Sequence, residues 1–290
     1  MLQKQSKKKS KVSSWLRFLA LPSAVAVGGV GALHVLRVLL HQKLVFRPEK
    51  YPVGIWNPEQ LGIDVTDVWF RAQDGVDLHG WWIPHKRPLA TVLFCHGNSG
   101  NIAQQLTTLR NFKRLGVSVL AFDYRGYGRS SGSPSETGLY LDVRAAYRYL
   151  MEDLDQEARH VVLFGHSLGG AIAIDAALDC PVAALVIQST FTHLRDAAKS
   201  KLSGTPFHYA ARDEFRSVEK IGHLRMPKLF IHGDSDGVLP LEYSQRLFDA
   251  ARQPKKLLVV PSAGHNEVHR FGGFRYLWTI SRFIRASVKR

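Results

Sequence analysis

Cysteine is scarce in this chain of 290 residues, which contains only Cys95 and Cys180. Two cysteines cannot staple a disulfide-rich scaffold, so the fold must depend on an apolar core. Hydrophobic residues make up 45% of the chain, which excludes wholesale disorder. Histidines, cysteines and acids do not fall at the spacings of a metal site, and we expect neither a metal nor a cofactor.

Acidic residues are also scarce, with 24 against 39 lysines and arginines, and the formal net charge is +15. The excess is concentrated at one end, because residues 1–50 hold ten lysines and arginines and one acid. A charge of this size would suit a nucleic-acid binder. The rest of the chain has only a modest excess and no recognised nucleic-acid-binding module, so no nucleic-acid partner is expected.

An apolar stretch follows a basic tail at 1–17. Residues 18–36 contain no Asp, Glu, Lys or Arg. As a helix they would span about 28 Å, close to the roughly 30 Å of a bilayer core. We therefore predict a single transmembrane anchor over 18–40. The alternatives are a signal peptide cleaved near Ala24-Val25-Ala26 and a buried soluble helix.

The charges that flank this stretch predict its orientation. Six lysines and arginines precede it and four follow it closely. By the positive-inside rule, the N-terminus lies in the cytoplasm and the chain is a single-pass membrane protein with its domain on the other side.

After a linker at 41–62, the region 63–290 alternates short apolar runs with amphipathic stretches. An opening hairpin is predicted, with strands at 63–72 and 76–84 around the turn Asp74-Gly75. Further strands are predicted at 91–95, 117–122, 160–164, 182–188, 228–232 and 256–260. Helices are predicted at 102–115, 135–152, 168–178, 241–251 and 274–284. This order indicates an α/β fold with a mostly parallel central sheet and helices on both faces. The stretch 191–224 interrupts the alternation and is interpreted as a small lid.

The pentapeptide Gly165-His166-Ser167-Leu168-Gly169 has the pattern G-x-S-x-G between a predicted strand and a predicted helix. A sharp strand-to-helix turn lifts the serine hydroxyl out of the sheet and needs small residues two positions before and after it. The helix N-terminus also favours developing negative charge. This context predicts that Ser167 is a nucleophile rather than an inert turn residue.

A serine nucleophile needs a base, and the base needs an acid that orients it. His265 follows the last predicted strand and is the candidate base. Asp236 follows the preceding strand and is the candidate acid, while its rival Asp234 would otherwise cap its own turn. The candidate oxyanion donors are the backbone N–H groups of Leu168, after the nucleophile, and of Asn98, in the loop after an early strand.

Six segments between residues 96 and 268 carry a wider pattern. They are HGNSGN at 96–101, DYRGYGRSSGSPSETGLYLD at 123–142, FGHSLGGA at 164–171, STFTHLRD at 189–196, HGDSDGVLP at 232–240 and AGHNEV at 263–268. Together they resemble the α/β-hydrolase superfamily, and more narrowly its bud-emergence-like branch of membrane-anchored serine hydrolases, the alpha/beta-hydrolase-domain-containing proteins.

The resemblance implies Ser167 as nucleophile, Asp236 as acid and His265 as base. It also implies that the Gly97-Asn98 turn forms part of the oxyanion hole. It fixes no role for Arg125, and it leaves the region 197–215 without a match.

These interpretations converge on a membrane-anchored serine hydrolase that cleaves carboxylic esters or thioesters through an acyl-enzyme intermediate. The expected substrate is a small acyl compound, an acyl lipid or an acylated protein. A serine peptidase of the aminopeptidase-like type and a non-catalytic binding protein of the same fold are the alternatives. The C-terminal helix, with apolar residues at helical spacing and arginines between them, suits either a sheet cover with a solvated basic face or a membrane-surface contact.

Overall fold

The computed structural model describes residues 45–201 and 214–288. The anchor predicted at 18–40 and the middle of the predicted lid, 202–213, lie outside these ranges. Within these ranges, no helix is both long enough and apolar enough to cross a bilayer.

Eight strands form the central sheet of the described region. They are β2 (Thr66–Arg71), β3 (Asp77–Ile83), β4 (Thr91–Cys95), β6 (Ser118–Phe122), β7 (Val161–His166), β8 (Ala184–Gln188), β9 (Lys228–Gly233) and β10 (Lys255–Val260). Two short strands, β1 (Arg47–Pro48) and β5 (Ser99–Gly100), pair separately. The order across the sheet is β2-β3-β6-β4-β7-β8-β9-β10. Only the pairs that involve β3 are antiparallel, so the predicted, mostly parallel sheet is confirmed.

The parallel strands are buried on both faces, which the sequence encodes as continuous apolar runs. Every residue of β4 and of β6 is buried. Because successive side chains point to opposite faces, Leu93 lies in one core and Val92 in the other. The sheet therefore separates two apolar cores.

Helices cover both faces of the sheet. They are α1 (Leu106–Leu115), α2 (Glu136–Glu152), α3 (Leu168–Ala176), α4 (Leu194–Lys201), α5 (Ser217–Ile221), α6 (Leu241–Ala250) and α7 (Val268–Val288). Short 3₁₀ turns are present at Pro58–Leu61, Ile102–Gln104 and Ala158–His160. The helices α1 and α7 bury apolar residues in the core that contains Val92. The helices α2, α3, α5 and α6 bury theirs in the core that contains Leu93.

The last helix differs from its prediction. The sequence predicts a helix at 274–284, whereas α7 begins at Val268 and has a break at Gly273, with φ 47° and ψ −131°. A positive φ is readily adopted only by glycine, so Gly273 joins two helical pieces at an angle. The glycines mark a break inside the helix and not its start.

Part of the stretch predicted as a linker packs against the sheet domain. The strand β1 pairs in parallel with β5, and the side chain of Phe46 is buried beside the ring of Phe215. The backbone N–H of Tyr51 donates to the carbonyl of Gly128. These contacts bring residues 45–51 against the loop that follows β4, the segment that follows β6 and Phe215.

Candidate active site

Ser167 lies at the turn between β7 and α3 with φ 54° and ψ −120°. A non-glycine residue with positive φ is strained, and such strain persists only where neighbouring groups hold it. The N–H of Ser167 donates to the carbonyl of Gln188 at 2.9 Å, and the hydroxyl of Thr190 donates to the carbonyl of Ser167 at 2.7 Å. Bonds from the end of β8 and the residues after it therefore hold the serine in this conformation.

The glycines on either side of Ser167 are sterically required. A Cβ built on Gly165 would lie 2.5 Å from the Cα of Gly170. A Cβ built on Gly169 would lie 2.5 Å from the carbonyl carbon of Cys95. Either contact would force the backbone apart, which confirms the prediction that the turn needs small residues at both positions.

The three side chains predicted as nucleophile, base and acid form one hydrogen-bonded chain. Nε2 of His265 lies 3.0 Å from Oγ of Ser167, and Nδ1 of His265 lies 2.7 Å from Oδ2 of Asp236. They follow β7, β10 and β9, whose carboxyl ends meet at one edge of the sheet. A carboxylate only accepts hydrogen bonds, so Nδ1 carries the proton and Nε2 can accept the proton of Ser167.

Asp236 is held as an ionised carboxylate. Its second oxygen, Oδ1, accepts the backbone N–H groups of Val238 at 2.8 Å and Leu239 at 2.9 Å. Burial by itself raises the pKa of Asp236, but hydrogen bonds from His232 and His265 outweigh burial and hold that pKa well below its ordinary value. A permanent negative charge therefore faces Nδ1 of His265.

His232, near the end of β9, is a residue that the sequence reasoning missed. Its imidazole is fully buried, with Nε2 at 2.9 Å from the carbonyl of Leu239 and 3.2 Å from Oδ2 of Asp236. Because both neighbours of Nε2 are acceptors, Nε2 carries the proton, and the hydroxyl of Ser244 donates to Nδ1 at 2.6 Å. The sequence feature that could have identified His232 is a histidine at the end of a buried strand, four residues before Asp236.

Asp234, the rival acid, has other contacts. Its Oδ1 accepts the backbone N–H of Ser262 at 2.7 Å and the hydroxyl of Ser235 at 3.0 Å. It therefore joins the loops that follow β9 and β10, and the acid that meets His265 is Asp236.

The loop after β4 passes directly beside Ser167. A Cβ built on Gly97 would lie 3.5 Å from the Cβ of Ser167. The side chain of Asn98 donates to the carbonyl of Val45 at 3.0 Å, so it is engaged away from the serine and only the backbone of this residue is available to the site. Leu168 is the first residue of α3, where N–H groups have no partner within the helix.

The segment that follows β6 supports this loop from behind. The hydroxyls of Tyr124 and Tyr127 donate to the carbonyls of His96 and Asn98, each at 2.9 Å. Oδ1 of the buried Asp123 accepts the N–H of Ile102 at 2.9 Å. Three side chains of this segment thus fix the backbone that runs past Ser167.

Arg125, for which the resemblance fixed no role, makes a network of ion pairs with the buried Asp142 and the exposed Asp74. Its guanidinium donates to both carboxylate oxygens of Asp74, at 2.6 and 2.9 Å, and to Oδ1 of Asp142 at 2.9 Å. Asp74 lies in the β2–β3 turn and Asp142 lies in α2. Arg125 therefore ties the opening hairpin to a helix, which is a structural role.

His166 lies beside the base, with its ring centroid 5.3 Å from that of His265. Burial, together with the neighbouring His265, lowers the pKa of His166 to about 3. His166 is therefore neutral near physiological pH, and it adds no positive charge beside His265.

Comparisons with known proteins place this chain in a family. The model of the alpha/beta hydrolase fold family matches residues 90–207. The alpha/beta hydrolase domain-containing protein WAV2 of Arabidopsis thaliana is 33% identical over 288 residues, which cover 90% of this chain and 91% of WAV2. The chain belongs to the alpha/beta hydrolase family.

Other members of this alpha/beta hydrolase family agree with that assignment. Protein bem46 of Schizosaccharomyces pombe is 30% identical over 296 residues, covering 91% of this chain and 94% of bem46. The predicted resemblance to the bud-emergence-like branch is therefore confirmed. The esterase Pf2001 of Pyrococcus furiosus has a TM-score of 0.73 at 21% identity, covering 84% of this chain and 98% of the esterase, and it supports the shared fold.

Proposed function

We propose that this protein is a serine hydrolase that cleaves carboxylic esters or thioesters through an acyl-enzyme intermediate. One observation carries the proposal, namely the continuous hydrogen-bonded chain from Ser167 through His265 to Asp236 at a strained strand-to-helix turn. The fold by itself would not carry it, because one fold hosts many unrelated functions.

In the acylation step, Nε2 of His265 takes the hydroxyl proton of Ser167 while Oγ attacks the substrate carbonyl carbon. The imidazolium that forms is stabilised by the carboxylate of Asp236, 2.7 Å from Nδ1. His265 then gives its proton to the departing alcohol or thiol as the bond to the carbonyl carbon breaks. In deacylation, a water molecule gives a proton to His265 and attacks the acyl carbon, which releases the acid and restores the hydroxyl of Ser167.

The negative charge on the carbonyl oxygen needs fixed donors in both steps. We assign this role to the backbone N–H groups of Leu168 and Asn98. Two features support the assignment: Leu168 opens α3 directly after the nucleophile, and the loop of Asn98 runs past Ser167 with tyrosine hydroxyls behind it. Losing one such donor lowers kcat by about 10²–10³-fold in comparable sites.

We further propose that residues 18–40 anchor the protein in a membrane as a single span, with the N-terminus in the cytoplasm and 191–224 as a lid over the site. The length of the uncharged stretch and the flanking basic residues support the anchor. An anchored site favours acyl lipids or acylated proteins as substrates.

A fluorophosphonate probe, which reacts with activated serines, tests the central claim on the full chain in mild detergent. We expect the wild type to be labelled and Ser167→Ala to be unlabelled, with kcat lower by several orders of magnitude. Ser262→Ala, which removes an exposed hydroxyl three residues before His265, should label like the wild type. Equal labelling of the wild type and Ser167→Ala would overturn the proposal.

The substrate class needs a separate comparison of matched acyl oxygen esters, acyl thioesters and aminoacyl anilides. Turnover of the esters or thioesters is expected. Turnover of the anilides alone would favour the aminopeptidase-like alternative. A folded protein that turns over none of them and is not labelled by the probe would favour a binding protein.

A further inference from the structure

The last helix presents an aromatic stripe that the fold leaves exposed. The stripe consists of Phe271, Phe274 and Trp278, whose exposed fractions are 49%, 81% and 46%. Phe274 and Trp278 are four residues apart after the break at Gly273 and lie on one face of the second helical piece, while Phe271 ends the first piece. The opposite face is buried in the core through Tyr276, Ile280 and Ile284. The helix cannot roll to hide the stripe without losing that core contact.

Four arginines border the stripe: Arg270, Arg275, Arg282 and Arg285, all exposed. The sequence of α7 contains no acid. The guanidinium carbon of Arg282 lies 5.2 Å from the centroid of the Trp278 ring, and that of Arg270 lies 5.8 Å from the centroid of Phe271. Cations and aromatic rings are thus interleaved along the exposed side of α7.

From this combination we propose that the exposed face of α7 docks onto the anionic surface of a lipid membrane. Aromatic rings beside arginines are the composition of helices that lie in the membrane interface, where the rings enter the acyl boundary and the guanidinium groups meet the headgroups. The positive charge selects anionic lipids, and each arginine near such a surface strengthens binding about fivefold.

A protruding ring fits a lipid surface better than a protein surface. Phe274 is 81% exposed, and it stands next to the break at Gly273. A fluid lipid layer accommodates such a ring anywhere, whereas a protein partner would need a matching pocket for it. An acidic protein, a second copy of this chain and residues 18–40 of the same chain are the occupants that the test must separate from lipid.

The stripe lies close to the candidate active site, so docking of α7 would also position that site. The helix begins at Val268, three residues after His265. Phe271 and Arg275 line a cleft together with Val260 and Pro261, at the carboxyl end of β10. Docking would therefore bring the sheet edge that carries Ser167 and His265 towards the lipid. This consequence rests on the proposed hydrolase function, whereas the docking itself does not.

The two native cysteines make a selective test practical. Cys95 and Cys180 are both buried, and burial raises the pKa of both thiols, that of Cys180 to about 12. A cysteine placed on the surface therefore reacts preferentially with a thiol-directed dye. We would label the full chain carrying Phe274→Cys with bimane and reconstitute it into phosphatidylcholine–phosphatidylglycerol vesicles whose acyl chains are brominated near the headgroup.

Interfacial helices enter roughly 5–10 Å into the headgroup and acyl boundary, which would bring the dye close to the bromines. We therefore expect the dye emission to fall by about half or more. The matched control is Leu178→Cys, which replaces an apolar side chain of 45% exposure just after α3, on the opposite face of the sheet. All variants keep residues 1–44, so a difference between positions 274 and 178 reports docking of α7 and not attachment of the chain.

A second set of measurements tests the contribution of charge to docking. Arg275→Gln combined with Arg282→Gln, in the Phe274→Cys background, should reduce the quenching, and so should vesicles of phosphatidylcholine alone. Quenching at position 274 no greater than at 178 would overturn the proposal and favour a protein or chain segment as occupant, particularly if the dye is shielded in detergent as well. Quenching that is unchanged by both the arginine substitutions and the neutral vesicles would overturn the claim that the helix docks onto an anionic surface. The readout requires no catalysis, so a failed hydrolase assay leaves it intact.

Discussion

Nε2 of His232 lies 3.2 Å from Oδ2 of Asp236, the same oxygen that meets His265. The acid of the proposed triad is therefore shared by two imidazoles, one buried behind it and one facing the serine. The two backbone N–H groups on the other oxygen complete its set of partners. This arrangement fixes both the charge and the orientation of the carboxylate.

We predict that His232 is a positioning residue for Asp236. A hydrogen bond to a charged group contributes about 1.5–3 kcal/mol, so His232→Ala should lower kcat by roughly 10–100-fold with KM little changed. Without this donor the pKa of Asp236 rises, but from well below its ordinary value, so the carboxylate stays ionised and the acid limb of the pH–rate profile should stay in place. The assay is ester hydrolysis by the full chain across a pH series.

Two further variants separate positioning from packing. His232→Gln keeps an N–H donor and should recover part of the loss. Ser244→Ala removes only the hydroxyl that contacts Nδ1 and should have a smaller effect. If His232→Ala lowers stability while kcat remains at the wild-type value, His232 serves packing alone.

The two aspartates after β9 should differ sharply in function. Asp236→Asn keeps the shape of the side chain but favours the wrong tautomer of His265, and a loss of about 10⁴-fold in kcat is expected from triads of this kind. Asp234→Asn changes a residue whose contacts are with Ser235 and Ser262, so kcat should stay within a fewfold of wild type. Steady-state kinetics on one ester decides the matter, and the reverse ranking would identify Asp234 as the acid.

The sequence predicted the strands well because buried parallel strands are written as uninterrupted apolar runs. The predicted run at 91–95 has the same bounds as β4, since His96-Gly97 ends it. The start of α7 was harder to predict. A glycine pair usually signals a helix boundary, and the local sequence pattern cannot distinguish such a boundary from a break inside a helix at Gly273.

The residues of the candidate site also divide into those that the sequence predicts and those that it does not. Ser167, Asp236 and His265 could be named from a turn motif and from their order along the chain, although no pattern gives the distances between them. His232 looks like any histidine on an apolar strand until the loop after β9 folds back over it. The pairing of Arg125 with Asp74, 51 residues away, depends on tertiary structure alone.

The Arg125 network yields a prediction about stability. Removing one partner of a buried ion pair leaves an uncompensated charge, which costs about 3–5 kcal/mol. Arg125→Met keeps much of the apolar stem but leaves the buried carboxylate of Asp142 without its guanidinium partner. The free energy of unfolding, measured in urea titrations, should therefore fall by that amount. Arg71→Met breaks only the exposed pair with Asp77 and should change it by less than about 1 kcal/mol. Equal effects would show that the Arg125 network is not a buried tie.

His166 should make the protein less stable in acid. Burial, with His265 nearby, lowers the pKa of His166 from about 6.5 to about 3. Between these two values the unfolded chain binds a proton at this residue and the folded chain does not. The contribution is therefore complete above pH 6.5 and is lost as the pH falls towards 3, by roughly 1.4 kcal/mol per pH unit.

Urea titrations of the full chain in detergent, at intervals from pH 7 to pH 4.5, measure this slope. His166→Gln removes the titrating group, so the unfolding free energy should depend less steeply on pH than in the wild type. His223→Gln replaces an exposed imidazole and is the matched histidine-to-glutamine control. A wild-type slope that persists in His166→Gln would mean that other groups, the buried His96 among them, carry the acid sensitivity, because burial lowers the pKa of His96 as well.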